Sequence, residues 1–223
     1  MNHWPAVLDR RPAGVVFDCD GLLVDTEPCW QWANEQVLLR RGQSMTDAQH
    51  EAMLGLSTPP SAALLATWLD EVGREDEIAA EMLAGAVERI GSHARAMPGA
   101  VAVVERLAGL GVPMAVASNS PPAVVELALA RGGLTGWFAV VVGERDALRP
   151  KPAPDPYLLA CSRLGIEASR AVGVEDSQTG LAALRAAGLA SIGVPSVAGE
   201  FPADWVLPSL ADPALTEWID SWA

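Results

Sequence analysis

The sequence predicts an α/β fold, a doubly wound parallel sheet interrupted by one block of helices. Three observations predict it. A short apolar run, Gly14-Val-Val-Phe-Asp18, leads into a second carboxylate at Asp20 and then Gly21. Such a run reads as a buried parallel strand, and ligands of parallel sheets bind at the carboxyl ends of their strands. From residue 100 onward, apolar strand-like runs alternate with helical patterns. Between these two regions, residues 27–95 carry helical spacing and no convincing strand.

Taken in order, residues 14–18 form the first strand. Pro28 to Arg41 places Trp30, Ala33, Val37 and Leu38 at helical spacing and stops at Gly42. Thr46 to Leu54 opens on a Thr-Asp cap signal. Pro59-Pro60 opens a helix running through Leu69, and Asp76 to Ile90 gives another. Met97-Pro98-Gly99 then punctuates the chain. Helices over Ala100–Gly111, Pro121–Gly132, Pro154–Gly165 and Ser177–Ala187 alternate with strands over Val112–Ser118, Phe138–Gly143, Ala171–Val174 and Ser191–Val194. Trp205-Val206 and Pro213 to Trp222 suggest a short strand and a closing helix. The simplest organisation is a core domain of residues 1–24 and 98–223, with a helical domain of residues 25–97 inserted after the first strand.

A chain of 223 residues, half of them hydrophobic, suits one large domain with an insertion. No apolar run approaches the roughly 20 residues of a membrane span, and the start has no basic and apolar leader pattern, so no membrane partner is expected. Cys19, Cys29 and Cys161 show no pairing or metal-type spacing, which points to reduced thiols in a cytoplasmic protein. Cys19 reads as a small buried apolar residue. His3, His50 and His93 fit no ligand spacing. A formal net charge of −13 argues against nucleic acid. Lys151 is the sole lysine beside fourteen arginines. A lysine kept where every other cation is arginine points to a need for a compact ammonium, chance being the plain alternative.

Polar residues gather where the strands end: Asp18 and Asp20; Ser118, Asn119 and Ser120; Pro150-Lys151-Pro-Ala-Pro-Asp155-Pro-Tyr157; and Glu175-Asp176-Ser177. Strand alternation puts Asp18 and Asp20 on one side with Cys19 opposite. Two close carboxylates call for a cation or a shared proton, and Mg²⁺ suits a site of carboxylate oxygens. Gly21 permits a sharp turn that leaves N–H groups open to an anion. Each cluster also has an ordinary explanation: a solvated turn, a helix cap, a loop lysine. Four such coincidences in this order are much harder to accept than one.

Asp18-Cys-Asp20-Gly-Leu-Leu-Val-Asp25-Thr26, Ser118-Asn119, Lys151-Pro-Ala-Pro-Asp-Pro and Glu175-Asp176-Ser177 together resemble the haloacid dehalogenase superfamily over roughly residues 14–195. The likeness is to its β-phosphoglucomutase-like and sugar-phosphate phosphatase branch, with a helical cap. A lone D-x-D is weak; the four-part series is specific. The resemblance implies that Asp18 is a nucleophile forming an aspartyl phosphate, and that Asp20 is the general acid and then the base. It implies that Ser118, the Asn119 backbone and Lys151 hold the phosphoryl group, to which the Gly21 and Leu22 backbone can add N–H donors, and that Mg²⁺ is bound by Asp18, the Asp20 carbonyl and Asp176, with Glu175 adjacent. A monomer acting on a small phosphorylated metabolite is implied. The connections near Val24–Glu27 and Arg95–Gly99 would let the cap gate access, Asp25-Thr26 serving also as a helix start.

Asp20 argues against dehalogenation, since dehalogenases of the superfamily lack the second aspartate. Residues 25–97 contain no lysine, which argues against phosphonate hydrolysis and against the β-phosphoglucomutase pattern. Trp30 stands where that pattern has histidine; it suits a sugar-phosphate phosphatase or simple packing. Hydrolysis of small phosphate monoesters, sugar phosphates first, is the expected activity. The mutase and a non-catalytic phosphate-binding module are the alternatives. Two departures stand out: Gly55-Leu56-Ser57-Thr58 lacks the usual cap arginine, and Pro150 replaces the usual glycine before the lysine.

Overall fold

The computed structural model describes residues 4–53, 56–196 and 199–222. The expectations at His3, Leu54 and Gly55 lie outside the described residues. Among the described residues, six strands form one sheet: β1 (Gly14–Phe17), β2 (Met114–Ala117), β3 (Val140–Val142), β4 (Ala171–Glu175), β5 (Ala190–Gly193) and β6 (Trp205–Val206). Every pairing is parallel, in the order β3-β2-β1-β4-β5-β6. The first strand is therefore central, and β2 and β4 flank it. The carboxyl ends of these three strands are where the predicted acids and hydroxyls emerge.

The helices are α1 (Glu27–Leu39), α2 (Asp47–Met53), α3 (Thr58–Trp68), α4 (Glu75–His93), α5 (Ala100–Gly109), α6 (Pro122–Arg131), α7 (Asp155–Leu164), α8 (Gln178–Ala187) and α9 (Pro213–Asp220). Two short 3-10 turns, Ala6–Leu8 and Ala168–Arg170, were not expected from the sequence. The chain divides into two compact units, residues 1–25 with 95–223, and residues 26–94.

In the sheet unit, α7 packs on β1, β2 and β3, and α8 on β4 and β5. Val16, Ala115, Ala117 and Val142 from the strands meet Tyr157, Ala160, Leu181 and Leu184 from these helices in one buried cluster. The small Ala115 and Ala117 of β2 lie in the same buried cluster as Tyr157 of α7. The closing helix α9 is tied to the amino-terminal turn, where the buried Trp218 Nε1 donates to the Leu8 carbonyl at 2.8 Å.

The helical unit is built on α1 and α3 against α4. Its core holds Val37, Leu38, Met53, Ala62, Leu65, Ala66, Ile78 and Met82. Each large aliphatic side chain buried there contributes about 2 kcal/mol. Thr46 and Gln49 form a reciprocal cap at α2: the Thr46 amide donates to Gln49 Oε1 at 2.9 Å and the Gln49 amide to Thr46 Oγ1 at 3.3 Å. Thr26 stands at the N-cap of α1. His50 faces Glu35 at 3.1 Å and His93 pairs with Ser92 at 2.7 Å. The three cysteines are buried and free.

Candidate active site

The first strand ends one residue earlier than its sequence indicates. The last residue of β1 is Phe17, so Asp18 and Asp20 lie beyond the alternating faces of the strand. The Asp18 amide still donates to the Val174 carbonyl of β4 at 3.0 Å, adding one rung to the ladder. The chain then curls: the Leu23 and Val24 amides both donate to the Cys19 carbonyl at 3.0 Å. Asp18 and Asp20 flank the buried Cys19 where the strand passes into this turn.

Gly21 closes the turn at φ +79°, a conformation that side chains rarely adopt. A Cβ there would also run into the Asp176 carboxylate. The expectation that its N–H lies open to an anion needs correcting. The Gly21 amide donates to the Val24 carbonyl at 2.9 Å, because the tight curl brings that carbonyl back under it.

Asp18, Glu175 and Asp176 converge. Each offers one carboxylate oxygen, all within 4.8 Å of one another, and all three residues are buried. Lys151 reaches in from the loop before α7, with Nζ 2.5 Å from Asp18 Oδ1 and 2.6 Å from Glu175 Oε1. Its side chain is only 4% exposed. Burial alone would pull the Lys151 ammonium down, but Asp18 and Glu175 outweigh it and hold the pKa well above its ordinary value. Burial pushes the Asp18 carboxyl up, opposed by Lys151. Asp176 is pushed up to about 7, by burial first and then by the Glu175 charge. Three carboxylates thus face one ammonium, which leaves the pocket short of positive charge.

Asp20 is seated separately. Its Oδ2 accepts from Ser118 Oγ at 2.9 Å and from Ser120 Oγ at 2.8 Å, while the Ser120 amide donates to Ser118 Oγ at 2.9 Å. Its carboxylate is not among the three that converge. Asn119 grips the main chain of the lysine: Nδ2 donates to the Lys151 carbonyl at 3.1 Å, and the Lys151 amide donates to Asn119 Oδ1 at 2.9 Å. The Asn119 side chain therefore acts on Lys151, a role its sequence context did not reveal.

The structure gives roles to Tyr157 and Ser177 and adds Gly180. The Tyr157 hydroxyl donates to Glu175 Oε1, and its ring lies 4.8 Å from Lys151 Nζ. Ser177 Oγ donates to Glu175 Oε2 at 3.0 Å and accepts from the Gly180 amide at 3.0 Å, so it caps α8 and orients the acid together. A Cβ on Gly180 would overlap the Glu175 carboxylate. Tyr157 and Ser177 stand in the strand-end clusters read from the sequence, while Gly180 carried no signal there.

A parallel sheet with a nucleophile-type carboxylate, a buried lysine and further acids at the carboxyl ends of adjacent strands defines an α/β enzyme whose site is built to handle an anionic group. A family model for haloacid dehalogenase-like hydrolases matches residues 12–188, and the chain belongs to that family. It is a hydrolase. It is 33% identical over 189 residues to the fructose-1-phosphate phosphatase YqaB of Escherichia coli (strain K12), covering 83% of this chain and 97% of that protein. It is 30% identical over 184 residues to a phosphoglycolate phosphatase of Xanthomonas campestris pv. campestris (strain 8004), covering 82% and 83%. The crystal structure of CbbY from Rhodobacter sphaeroides in complex with phosphate superposes with a TM-score of 0.81 at 24% identity, over 91% of this chain and 96% of that one. That last likeness concerns the fold. Among the described residues no helix is long and apolar enough to cross a membrane.

Proposed function

We propose that the protein is a Mg²⁺-dependent phosphatase of small phosphate monoesters, sugar phosphates first, working through an aspartyl phosphate. The observation that carries this reading is the buried contact of Asp18 with Lys151, beside Glu175 and Asp176 and next to the separately seated Asp20. The phosphatase relatives support it. Residues 25–97 are taken as the substrate-selecting cap.

In this mechanism an Asp18 oxygen attacks the phosphorus of the ester. The bond to the ester oxygen breaks, and Asp20 gives that oxygen a proton as the alcohol leaves. Asp20 then takes a proton from water, which attacks the aspartyl phosphate; inorganic phosphate departs and Asp18 is restored. Lys151 offsets the charge of the phosphoryl oxygens. Asn119 fixes the lysine loop, and Tyr157 and Ser177 hold Glu175 against the lysine. Ser118 and Ser120 orient Asp20, which must serve twice from one position.

A divalent cation fits the three converging carboxylates: all donors are hard oxygens, and one ammonium leaves them under-neutralised. Asp18, Glu175 and Asp176 would hold Mg²⁺, with the Asp20 main chain adjacent, and when bound it would supply charge neutralisation to the transferring group.

The test is phosphate release from a panel of phosphate monoesters with and without Mg²⁺, in the parent and in Asp18→Asn. Mg²⁺-dependent release that falls at least about a thousandfold in the variant is expected. Release that survives Asp18→Asn would rule out the aspartyl phosphate. Conversion of hexose 1-phosphate to hexose 6-phosphate without free phosphate would replace the phosphatase by a mutase.

A further inference from the structure

A second charged cavity lies at the opposite edge of the sheet, where β4 and β5 begin. It has a volume of about 620 Å³, and its lining includes Arg10, Arg11, Arg170 and Arg185. The setting makes this concentration of cations unusual. The whole chain carries −13, and six arginines elsewhere pair with carboxylates: Arg40 with Glu81, Arg41 with Glu71 and Glu81, Arg74 with Glu77, Arg106 with Asp220, Arg149 with Asp155 and Arg163 with Asp146. Among the described residues, none of the four cavity arginines has an ion-pair partner. The one acid in the lining, Asp204, is engaged by Ser191, whose amide and hydroxyl both donate to Oδ2 at 2.8 Å.

The cavity is also well anchored. Arg10 and Arg11 lie on the segment entering β1, and Arg170 ends the 3-10 turn entering β4. These two segments are joined by the Ala13 amide donating to the Arg170 carbonyl at 2.8 Å. Arg11 and Arg185 each give one guanidinium nitrogen to a main-chain carbonyl, of Leu110 at 2.5 Å and of Pro202 at 3.2 Å. Each keeps further donors, since a guanidinium carries five. Planar forks of this kind match phosphate and carboxylate oxygens two at a time.

We propose that this cavity binds a small multivalent oxyanion, one bearing two or more phosphate or carboxylate groups, at a site separate from Asp18 and Lys151. Four cations without carboxylate partners in one cavity call for more than one negative charge. The acidic remainder of the surface repels a long polyanion such as nucleic acid and leaves a compact ion as the occupant.

The test is a titration of isotope-labelled protein with inorganic pyrophosphate and, separately, citrate, at physiological salt, followed by backbone amide shifts and calorimetry. Saturable shifts at Ala13, Arg170, Ala171 and Ala190 are expected, with Arg170→Gln/Arg185→Gln weakening affinity at least about tenfold. A charge-matched control, Arg131→Gln/Arg145→Gln, is expected to bind as the parent does. Preference for pyrophosphate or for citrate assigns the class of anion. Shifts confined to residues around Asp18 and Lys151, equal loss in both double variants, or no saturable binding would each overturn the proposal. The shift map on the parent keeps the test decisive if a variant folds poorly, and it is independent of whether the enzyme is a phosphatase.

Discussion

The two units handle charge in opposite ways. In the helical unit, Arg41 lies between two glutamates: Nε is 3.0 Å from Glu71 and Nη2 is 2.9 Å from Glu81. Its Nη1 donates to the Val37 carbonyl at 3.1 Å, pinning it to the end of α1. These side chains are 17%, 22% and 31% exposed. In the sheet unit, Asp18, Glu175 and Asp176 are buried around one lysine and remain under-neutralised. The first arrangement is complete in itself and stabilises. The second leaves three carboxylates around one ammonium, an arrangement suited to a further cation.

The sharpest way to break this contrast is Lys151→Arg. If the site needs a compact ammonium between Asp18 and Glu175, charge alone does not suffice. Turnover is expected to fall about a hundredfold or more, measured as kcat on the best ester of the panel. Near-parental kcat would show that any cation serves. Asn119→Ala comes next: it frees the lysine loop without touching the carboxylates, and a fall of about tenfold to a hundredfold in kcat is expected, with KM changing less. A loss seen only in KM would assign Asn119 to ground-state binding instead.

Smaller effects are read in stability. Asp176→Asn removes one of three like charges, so metal-free protein is expected to gain about 1 kcal/mol, while the rise in thermal midpoint expected for the parent in millimolar Mg²⁺ is expected to be lost. A variant less stable than the parent without metal would mean the acids are not in conflict. Arg41→Ala should do the reverse of this gain, costing about 1–2 kcal/mol at neutral pH with kcat kept. Its pH dependence has a definite sign. Hydrogen bonding to Arg41 holds Glu81 below its ordinary value of 4.5. The contribution is therefore fully present above the ordinary carboxylate range and is lost as pH falls through the depressed value. Denaturant midpoints of parent and variant should converge toward about pH 2; a gap that persists there would assign the loss to packing of the arginine stem.

The same contrast shows what was legible in the sequence. The order of elements followed from periodicity and from Gly and Pro punctuation, and most ends fell within a few residues. β1 ends at Phe17, one residue before the span read from the sequence, and Asp20 follows it as a bridge partner of Val24. The candidate residues were found as four separated clusters, each tied to a strand end. Their division of labour was not legible: Ser118 and Asn119 are adjacent, yet one serves Asp20 and the other the Lys151 main chain. The arginine cavity is a further case, drawing on Arg10, Arg11, Arg170 and Arg185 from distant parts of the chain.

The sequence by itself determined the parallel α/β class, the inserted helical segment and the residue types of the site, because local periodicity and strand-end chemistry are properties of short stretches. Only the tertiary structure decided that β1 lies between β2 and β4, that Tyr157 and Gly180 shape the Glu175 pocket, and that the Gly21 amide is already occupied. Those outcomes depend on which backbones approach within a few ångströms after packing, and the energies that select them come from burial and pairing across many residues of separation.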